Sequence, residues 1–279
     1  MAFSFKETMK VKHADDVLLV DSLNFSFRWK HAGRTDYRFD YVDGIKSFAA
    51  SFLCSKVIIL CDKGQSSFRR GIDPLYKANR LEKFATQSEE EAIAFEEHME
   101  EFKATLEELG KEFTVLQYAG VEADDLAAYL VKEKELFGFR KVTLLSTDRD
   151  WDLLLSDDVK RFSYGSRKEF TIENWLDNYN VLPEDYLSLK CLMGDSGDNV
   201  PGIAGVGPAR GAELIDRFGS ALDIYDQIPL PGHLKYIKAL NDSGERLVLN
   251  YELMDLLTYC EDAIGADNIA DIRMKLVDN

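Results

Sequence analysis

Four short apolar runs stand out along the chain: Val17–Val20, Val57–Cys61, Phe113–Tyr118 and Val142–Leu145. Each is strand-sized and continuous rather than alternating, as expected of a strand buried on both faces. Between them the pattern turns helical. Asp43 to Leu53 reads as one such helix. Ser88 and Glu91 form a capping-box pair, which opens a helix with Ala92, Phe95, Met99, Phe102, Leu106 and Leu109 on one stripe. Spacings of three and four also fit a coiled-coil seam, but a stripe this short more commonly packs on its own protein. Strands alternating with helices predict an α/β fold with a mostly parallel central sheet flanked by helices.

The texture changes near residues 181–186, where Asn180-Val181-Leu182-Pro183-Glu184 reads as a loop entering a helical region. Beyond it come helix, a glycine-rich turn, helix, Pro229-Leu230-Pro231-Gly232, and more helix. The expected partition is an N-terminal tail over residues 1–14, an α/β domain over 15–182 and a smaller helical domain over 183–279.

Composition sets outer bounds. The chain has 279 residues, 46% of them apolar, which is enough to bury a sizeable core. Its N-terminus has no apolar run of signal-peptide length, and its longest apolar runs are too short to cross a membrane. Cys54, Cys61, Cys191 and Cys260 form no C-x-x-C pair. They read as free thiols in a reducing cytoplasm. The formal net charge is -16, which argues against a polybasic membrane-surface protein and, taken as a sum, against a generic nucleic-acid binder. The distribution says more. Residues 1–87 carry 15 basic and 10 acidic side chains, a local +5, whereas residues 88–112 hold ten Glu against Lys103 and Lys111, a local -8.

Chemistry collects at the strand ends. Val17–Val20 runs into Asp21, and Val57–Cys61 into Asp62. Phe113–Tyr118 is followed by Glu122, Asp124 and Asp125, and Val142–Leu145 by Asp148 and Asp150. Asp195 and Asp198 follow further on. In an open parallel sheet the carboxyl ends of the strands face one crevice. A single such acid is commonly a helix cap, and Asp124 with Asp125 would favour a helix dipole; four strand ends bearing acids make caps a poor joint explanation. Nine converging carboxylates need counter-charge, and hard divalent cations with oxygen ligands supply it. No His lies in these segments, so Mg²⁺ or Mn²⁺ is favoured over zinc. Phosphoryl chemistry is the leading use of such a site. An aspartyl-phosphate enzyme would want a second acid two residues after Asp21, where Leu23 stands, and no P-loop pattern occurs.

Two further segments bear on substrate. Residues 63–83 contain Lys63, Arg69, Arg70, Lys77, Arg80 and Lys83, interleaved with Phe68 and Tyr76. Cations neutralise phosphates, and aromatic faces stack on unpaired bases. On a helix, Lys77 and Arg80 would share a face. The turn Gly202-Ile203-Ala204-Gly205-Val206-Gly207-Pro208-Ala209-Arg210 opens a helix with Leu214, Ile215 and Phe218. Glycines and a helix N-terminus together make a phosphate cradle.

These residues resemble those of the flap endonuclease and 5′–3′ exonuclease family, most closely the stand-alone enzymes of tailed bacteriophages. The resembling segments are Leu19-Val20-Asp21-Ser22-Leu23-Asn24, Cys61-Asp62-Lys63-Gly64 and Tyr76-Lys77-Ala78-Asn79-Arg80, followed by Gly120-Val121-Glu122-Ala123-Asp124-Asp125. Ser146-Thr147-Asp148-Arg149-Asp150-Trp151-Asp152, Met193-Gly194-Asp195-Ser196-Gly197-Asp198-Asn199 and the glycine turn complete the set. The match runs from about residue 15 to 260.

The resemblance implies a helical arch at about 63–110 and a helix–three-turn–helix element at about 185–220. It implies two Mg²⁺ ions, replaceable by Mn²⁺, held among Asp21, Asp62, Glu122, Asp124, Asp125, Asp148, Asp150, Asp195 and Asp198. Lys77 and Arg80 would serve catalysis at the scissile phosphate. DNA contacts are implied at Arg28, Lys63, Arg69, Tyr76, Lys83, Lys190, Gly202, Gly205, Gly207 and Arg210, with Tyr76 stacking on a nucleotide and a potassium ion at the glycine turn. The partner would be branched or 5′-flap DNA cut by a monomer in the host cytoplasm during replication, leaving 5′-phosphate and 3′-hydroxyl ends. One departure is visible: phage relatives commonly carry a Lys-Arg pair in the glycine turn, whereas Ala209 precedes Arg210 here. Two other readings stay open, a catalytically inactive DNA-binding module of this fold and a related α/β ribonuclease acting on RNA primers.

Overall fold

The structure is a computed structural model describing residues 15–277. The tail expected over residues 1–14 lies outside the described residues. The strands are β1 (Asp15–Asp21), β2 (Lys56–Leu60), β3 (Thr114–Leu116), β4 (Phe139–Leu145), β5 (Val159–Ser163) and β6 (Lys168–Phe170), with a two-residue pair β7 (Gly194–Asp195) and β8 (Val200–Pro201). The helices of the first part are α1 (Ser22–His31), α2 (Arg38–Ser51), α3 (Ser67–Ile72), α4 (Ala78–Ala85), α5 (Glu89–Leu109) and α6 (Ala123–Lys132). Those of the second are α7 (Tyr186–Met193), α8 (Pro208–Phe218), α9 (Ala221–Asp226), α10 (Lys235–Asp242), α11 (Glu245–Met254), α12 (Leu256–Ile264) and α13 (Ala266–Val277).

The main sheet has the order β3-β2-β1-β4-β5-β6, parallel except for β6. All four apolar runs form its strands. β1 lies between β2 and β4, helices cover both faces of the sheet there, and Val17–Val20 are fully buried. Its residues alternate between two cores. Val17 and Leu19 pack with α6 and α12, while Leu18 and Val20 pack with α1 and α2. The chain leaves β1 toward β2 and β3 on one side and returns to β4 and β5 on the other. That reversal places a topological switch point between β1 and β4, where a crevice opens at the strands' carboxyl ends.

β5 and β6 were not legible as apolar runs. Val159, Arg161 and Ser163 face one way, and Lys160 and Phe162 the other, a polar-rich alternation suited to the sheet's edge.

The helix expected over Asp43–Leu53 is α2, which starts five residues earlier. α5 begins with the expected capping box at Ser88 and Glu91. Its C-terminal half packs through Phe102 and Leu109 onto the protein's own core, whereas Ala92 and Ile93 near its start are exposed. A third core, built on Trp175, Leu189, Leu192, Leu214, Ile224 and Leu247, unites α7 to α11. α12 and α13 turn back and bury Leu256, Cys260, Ile264, Ile272 and Leu276 with the sheet. The four cysteines are free. No helix among the described residues is long and apolar enough to cross a membrane.

His98 joins α5 to α1. It is 2% exposed, shares a hydrogen bond of 3.1 Å with Ser26 Oγ, stacks on Phe27 and leaves Nδ1 without a partner. Burial, with Lys30 and His31 nearby, pushes its pKa down to about 4. The folded protein therefore holds fewer protons here than the unfolded chain between about pH 4 and 6.5. The stability from neutral His98 is present above pH 6.5 and is lost as pH falls through that window. The expected loss is about 1.4 kcal/mol per pH unit. Thermal melts of wild type and His98→Gln should converge as pH falls from 7 to 5, whereas a constant gap would show that His98 does not titrate on unfolding.

Candidate metal and nucleic-acid site

The acids meet at the switch point. Asp21 ends β1 and caps α1, accepting from Asn24 N at 3.4 Å. Ser146, just past β4, donates from Oγ to Asp21 Oδ2 at 2.7 Å, and Ser146 Oγ accepts from the amide of Asp148 at 3.0 Å. Asp148 Oδ1 accepts from Asp150 N at 2.9 Å. Asp62 follows β2 and accepts from Ala123 N at 2.6 Å, pinning the start of α6. Asp124, in the first turn of α6, accepts the Trp151 indole at 2.6 Å. Burial raises Asp21 well above the ordinary aspartate value, with Asp62 and Asp148 adding repulsion. Burial likewise raises Asp62, helped by Glu122, and lifts Asp124 further, helped by Asp148.

Cations stand on the other side of the cluster. Lys77 Nζ lies 2.9 Å from Glu122 Oε1 and 3.5 Å from Asp198 Oδ2, and Arg80 Nη2 lies 2.9 Å from Asp198 Oδ1. Burial opposes the charge on Lys77, but Glu122 and Asp198 outweigh it and raise its pKa. Burial pushes Glu122 up, yet Lys77 and Arg69 hold it below the ordinary glutamate value. Lys77 is not on a helix face with Arg80. It precedes α4 with φ +55°, and its amide donates to Asp198 O at 2.8 Å, so this left-handed turn delivers both cations to one acid.

Several expected roles are corrected by burial. Arg69 is 2% exposed and cannot face DNA. Its guanidinium pairs with Asp125 at 2.7 and 2.9 Å and donates from Nε to Leu253 O at 2.8 Å. Asp125 is consumed in that pair and is fully buried, so it is not free to ligate an ion. Tyr76 is not presented for stacking: its ring is buried, and its hydroxyl donates to Glu122 and Asp198. Lys190 is buried between Asp150 at 2.5 Å and Asp195 at 3.2 Å, as an internal counter-ion rather than a surface contact. Burial and Asp148 push Asp150 up to about 6 although Lys190 pulls it down. Gly202 is a packing glycine, since a Cβ there would lie 2.0 Å from Met193 O.

Other placements suit a surface role. Lys63 is exposed beside Asp62. Gly205 has φ +81°, Gly207 caps α8, and Arg210 is exposed with Nη1 donating to Gly205 O at 2.6 Å. Arg28 is exposed on α1 and lines a cleft of about 610 Å³ with Phe27, His31, Tyr164 and Arg167. The side chain of Lys83 lies outside the described ones.

Sequence reasoning missed a clamp around the Asp148–Asp150 loop. Arg161 on β5 donates from Nη1 to Ser146 O at 3.1 Å. Its Nε and Nη2 meet Asp152 at 2.6 and 2.8 Å. One buried guanidinium thus grips both ends of the segment that carries both acids. Tyr179 adds a short hydrogen bond to Asp152. The available signal was Asp152 in a dense acidic segment with Arg161 nine residues on; nothing local pairs them.

A fit for divalent ions rests on the donor set. Among the described residues Asp21, Asp62, Asp124 and Asp148 have no ion-pair partner, while the pairs above neutralise Glu122, Asp125, Asp150, Asp195 and Asp198. Four carboxylates without counter-charge, Asp21 buried, Asp62 and Asp124 half-buried and Asp148 exposed, suit a hard cation. Among the described residues no three His, Cys, Asp or Glu side chains are grouped closely enough to hold a metal ion as they stand.

A parallel sheet with its acids at the switch point, followed by a helical unit with a glycine turn, defines a class of nuclease. The description of a 5′–3′ exonuclease N-terminal resolvase-like domain matches residues 16–180, and that of a 5′–3′ exonuclease C-terminal SAM fold matches residues 181–277. The chain belongs to the 5′–3′ exonuclease family of nucleases. It is 44% identical to the flap endonuclease of Escherichia phage T5 over 268 residues, 95% of this chain and 91% of that one. It is 33% identical to the thermostable DNA polymerase I of Thermus caldophilus over 214 residues, 73% of this chain but 24% of that protein. A solved structure of the phage T5 flap endonuclease, a pseudo-enzyme–product complex with DNA and metal ions, superposes with a TM-score of 0.90 at 42% identity, covering 94% of this chain and 98% of that one. The catalytic core of Rad2, at 15% identity and a TM-score of 0.55, shares the fold.

Proposed function

We propose that this protein is a divalent-metal-dependent 5′ nuclease that hydrolyses phosphodiester bonds in branched DNA, as a 5′-flap endonuclease and 5′–3′ exonuclease. The observation that carries this reading is the set of four acids at the β1/β4 switch point that have no ion-pair partner among the described residues, faced by Lys77 and Arg80. The phage T5 relative, solved with DNA and metal ions, supports it.

Asp21, Asp62, Asp124 and Asp148 would hold two Mg²⁺ ions, or Mn²⁺ in their place, with Asp150, Asp195 and Asp198 on the far side. Bound there, the ions supply an activated water and stabilise the leaving oxygen. Ser146 and Ala123 N–H orient two of the acids. Lys77 and Arg80 place positive charge where the phosphate gains negative charge. An incoming phosphate would have to displace Asp198 from both cations, and Glu122 from Lys77, which is 6% exposed. Attack of water on its phosphorus with loss of the 3′-oxygen would then give 5′-phosphate and 3′-hydroxyl ends.

The chain divides in this reading into an α/β nuclease unit over residues 15–182 and a helical DNA-binding unit over 183–279. The arch spans about 63–110, and the helix–three-turn–helix element about 185–220. Gly205, Gly207 and Arg210 would contact duplex backbone there, with a potassium ion on the turn's carbonyls. Lys63 and Arg28 would reach DNA at the surface. The protein acts as a monomer in the host cytoplasm, in replication.

The test is cleavage of a 5′-labelled flap duplex with Mg²⁺, with EDTA as control. Cutting that EDTA abolishes is expected, and binding without cutting across Mg²⁺ and Mn²⁺ would overturn the enzyme reading. In the same assay Lys77→Ala should lower the cleavage rate by about a hundredfold, more than it weakens binding. A pure binding defect would contradict its role.

A further inference from the structure

The loop that carries Asp148 and Asp150 also borders a recess. Arg149 lies between the two acids, and its side chain lines the recess, of about 300 Å³, with Lys168, Ser163, Ser166 and Asn178. Arg161 and Tyr179 complete one wall, already satisfied by Asp152. Ser163 and Arg161 alternate along β5 with Phe162, which lines the cleft beside α1. Successive strand residues face opposite ways, so the recess lies on the other face of the β5–β6 hairpin from that cleft.

Its charge is unusual for this protein. The chain has 50 acidic and 34 basic residues, yet among the described residues no carboxylate lines this recess. Among the described residues neither Arg149 nor Lys168 has an ion-pair partner, although Lys160 and Glu169, their neighbours on the same hairpin, pair at 2.8 Å. Two exposed cations sharing a hollow without a counter-ion attract a mobile anion. Ser163 and Ser166 add hydroxyl groups, and Asn178 adds an amide. The hollow has room for about ten waters, enough for a phosphodiester group with part of its sugars.

The geometry points to a phosphate subsite here, in which Arg149 and Lys168 hold a backbone phosphodiester of bound DNA away from the bond that is cut. Lys77 and Arg80 lie against Asp198 in the acid cluster and are separate from it. Placing the contact on the loop that bears Asp148 ties DNA position to acid position. This inference rests on the nuclease reading above.

The experiment measures binding of a 5′-flap duplex in EDTA over a range of salt concentrations. Arg149→Gln/Lys168→Gln is expected to weaken binding about tenfold at moderate salt. It should also flatten the slope of log affinity against log salt by about one, the loss of one phosphate contact. Lys168→Gln alone, remote from the acids in sequence, should give a smaller shift of the same sign. Lys160→Gln, which removes one charge from the opposite face of β5, should change neither by as much. Equal effects from Lys160→Gln and Lys168→Gln would mean general electrostatics and overturn the subsite. Wild type that cuts the flap, with a double variant that binds as wild type does at every salt, overturns this inference alone. Wild type that neither binds nor cuts overturns the nuclease reading and this one with it.

Discussion

Replacing Asp148 by alanine is expected to lower Mg²⁺-supported cleavage of a 5′-flap duplex about a thousandfold, the scale of losing one group that stabilises developing charge. Flap binding in EDTA should stay near wild type. Asp148 is one of four acids without an ion-pair partner among the described residues, and it sits close enough to raise Asp21, Asp124 and Asp150. Its removal therefore takes away a donor oxygen and relieves repulsion together. The second effect gives a separate signature: without divalent ions, Asp148→Ala should melt higher than wild type. Unchanged turnover would remove Asp148 from the ion-holding set. A lower melting temperature in EDTA would mean that its hydrogen bond from Asp150 N outweighs the repulsion.

The second large effect is on stability. Arg69→Met leaves Asp125 fully buried with no partner, and strips one cation from Glu122. Breaking a buried pair by removing one side costs about 3–5 kcal/mol. For a chain of this size that is a fall in melting temperature of roughly 10 °C. Arg69→Met/Asp125→Leu should recover most of it, because no charge is then stranded. The folded fraction should bind DNA as wild type does. An unchanged melting temperature with a salt-dependent loss of DNA affinity would return Arg69 to the DNA interface.

This pair shows where local reading stops. Residues 63–83 form a basic stretch of uniform character in the sequence, but the fold sorts it by solvent access. Lys63 stays at the surface, Arg69 is drawn beneath α11 to Asp125, 56 residues away, and Lys77 turns into the acid cluster. Charge alone does not mark which cation meets solvent. The acids divide in the same way. Seven were legible at the strand ends and two more at Asp195 and Asp198, yet which four remain without counter-charge among the described residues depends on where Arg69, Lys77, Arg80 and Lys190 arrive.

The sequence by itself determined the four apolar strands, the capping box of α5, the acids at the carboxyl ends and the glycine turn before α8. Each depends on a local cause: burial on both faces, a side chain reaching its own helix amide, the end of a strand, or backbone freedom at glycine. The resemblance of ordered motifs added the family. Tertiary structure alone decided the switch point between β1 and β4, the polar edge strands β5 and β6, and the return of α12 and α13 to the sheet. It also decided the Arg161 clamp and the pairing of each buried charge. These depend on partners far apart in the chain, because a buried charge is costly unless folding brings it a counter-charge.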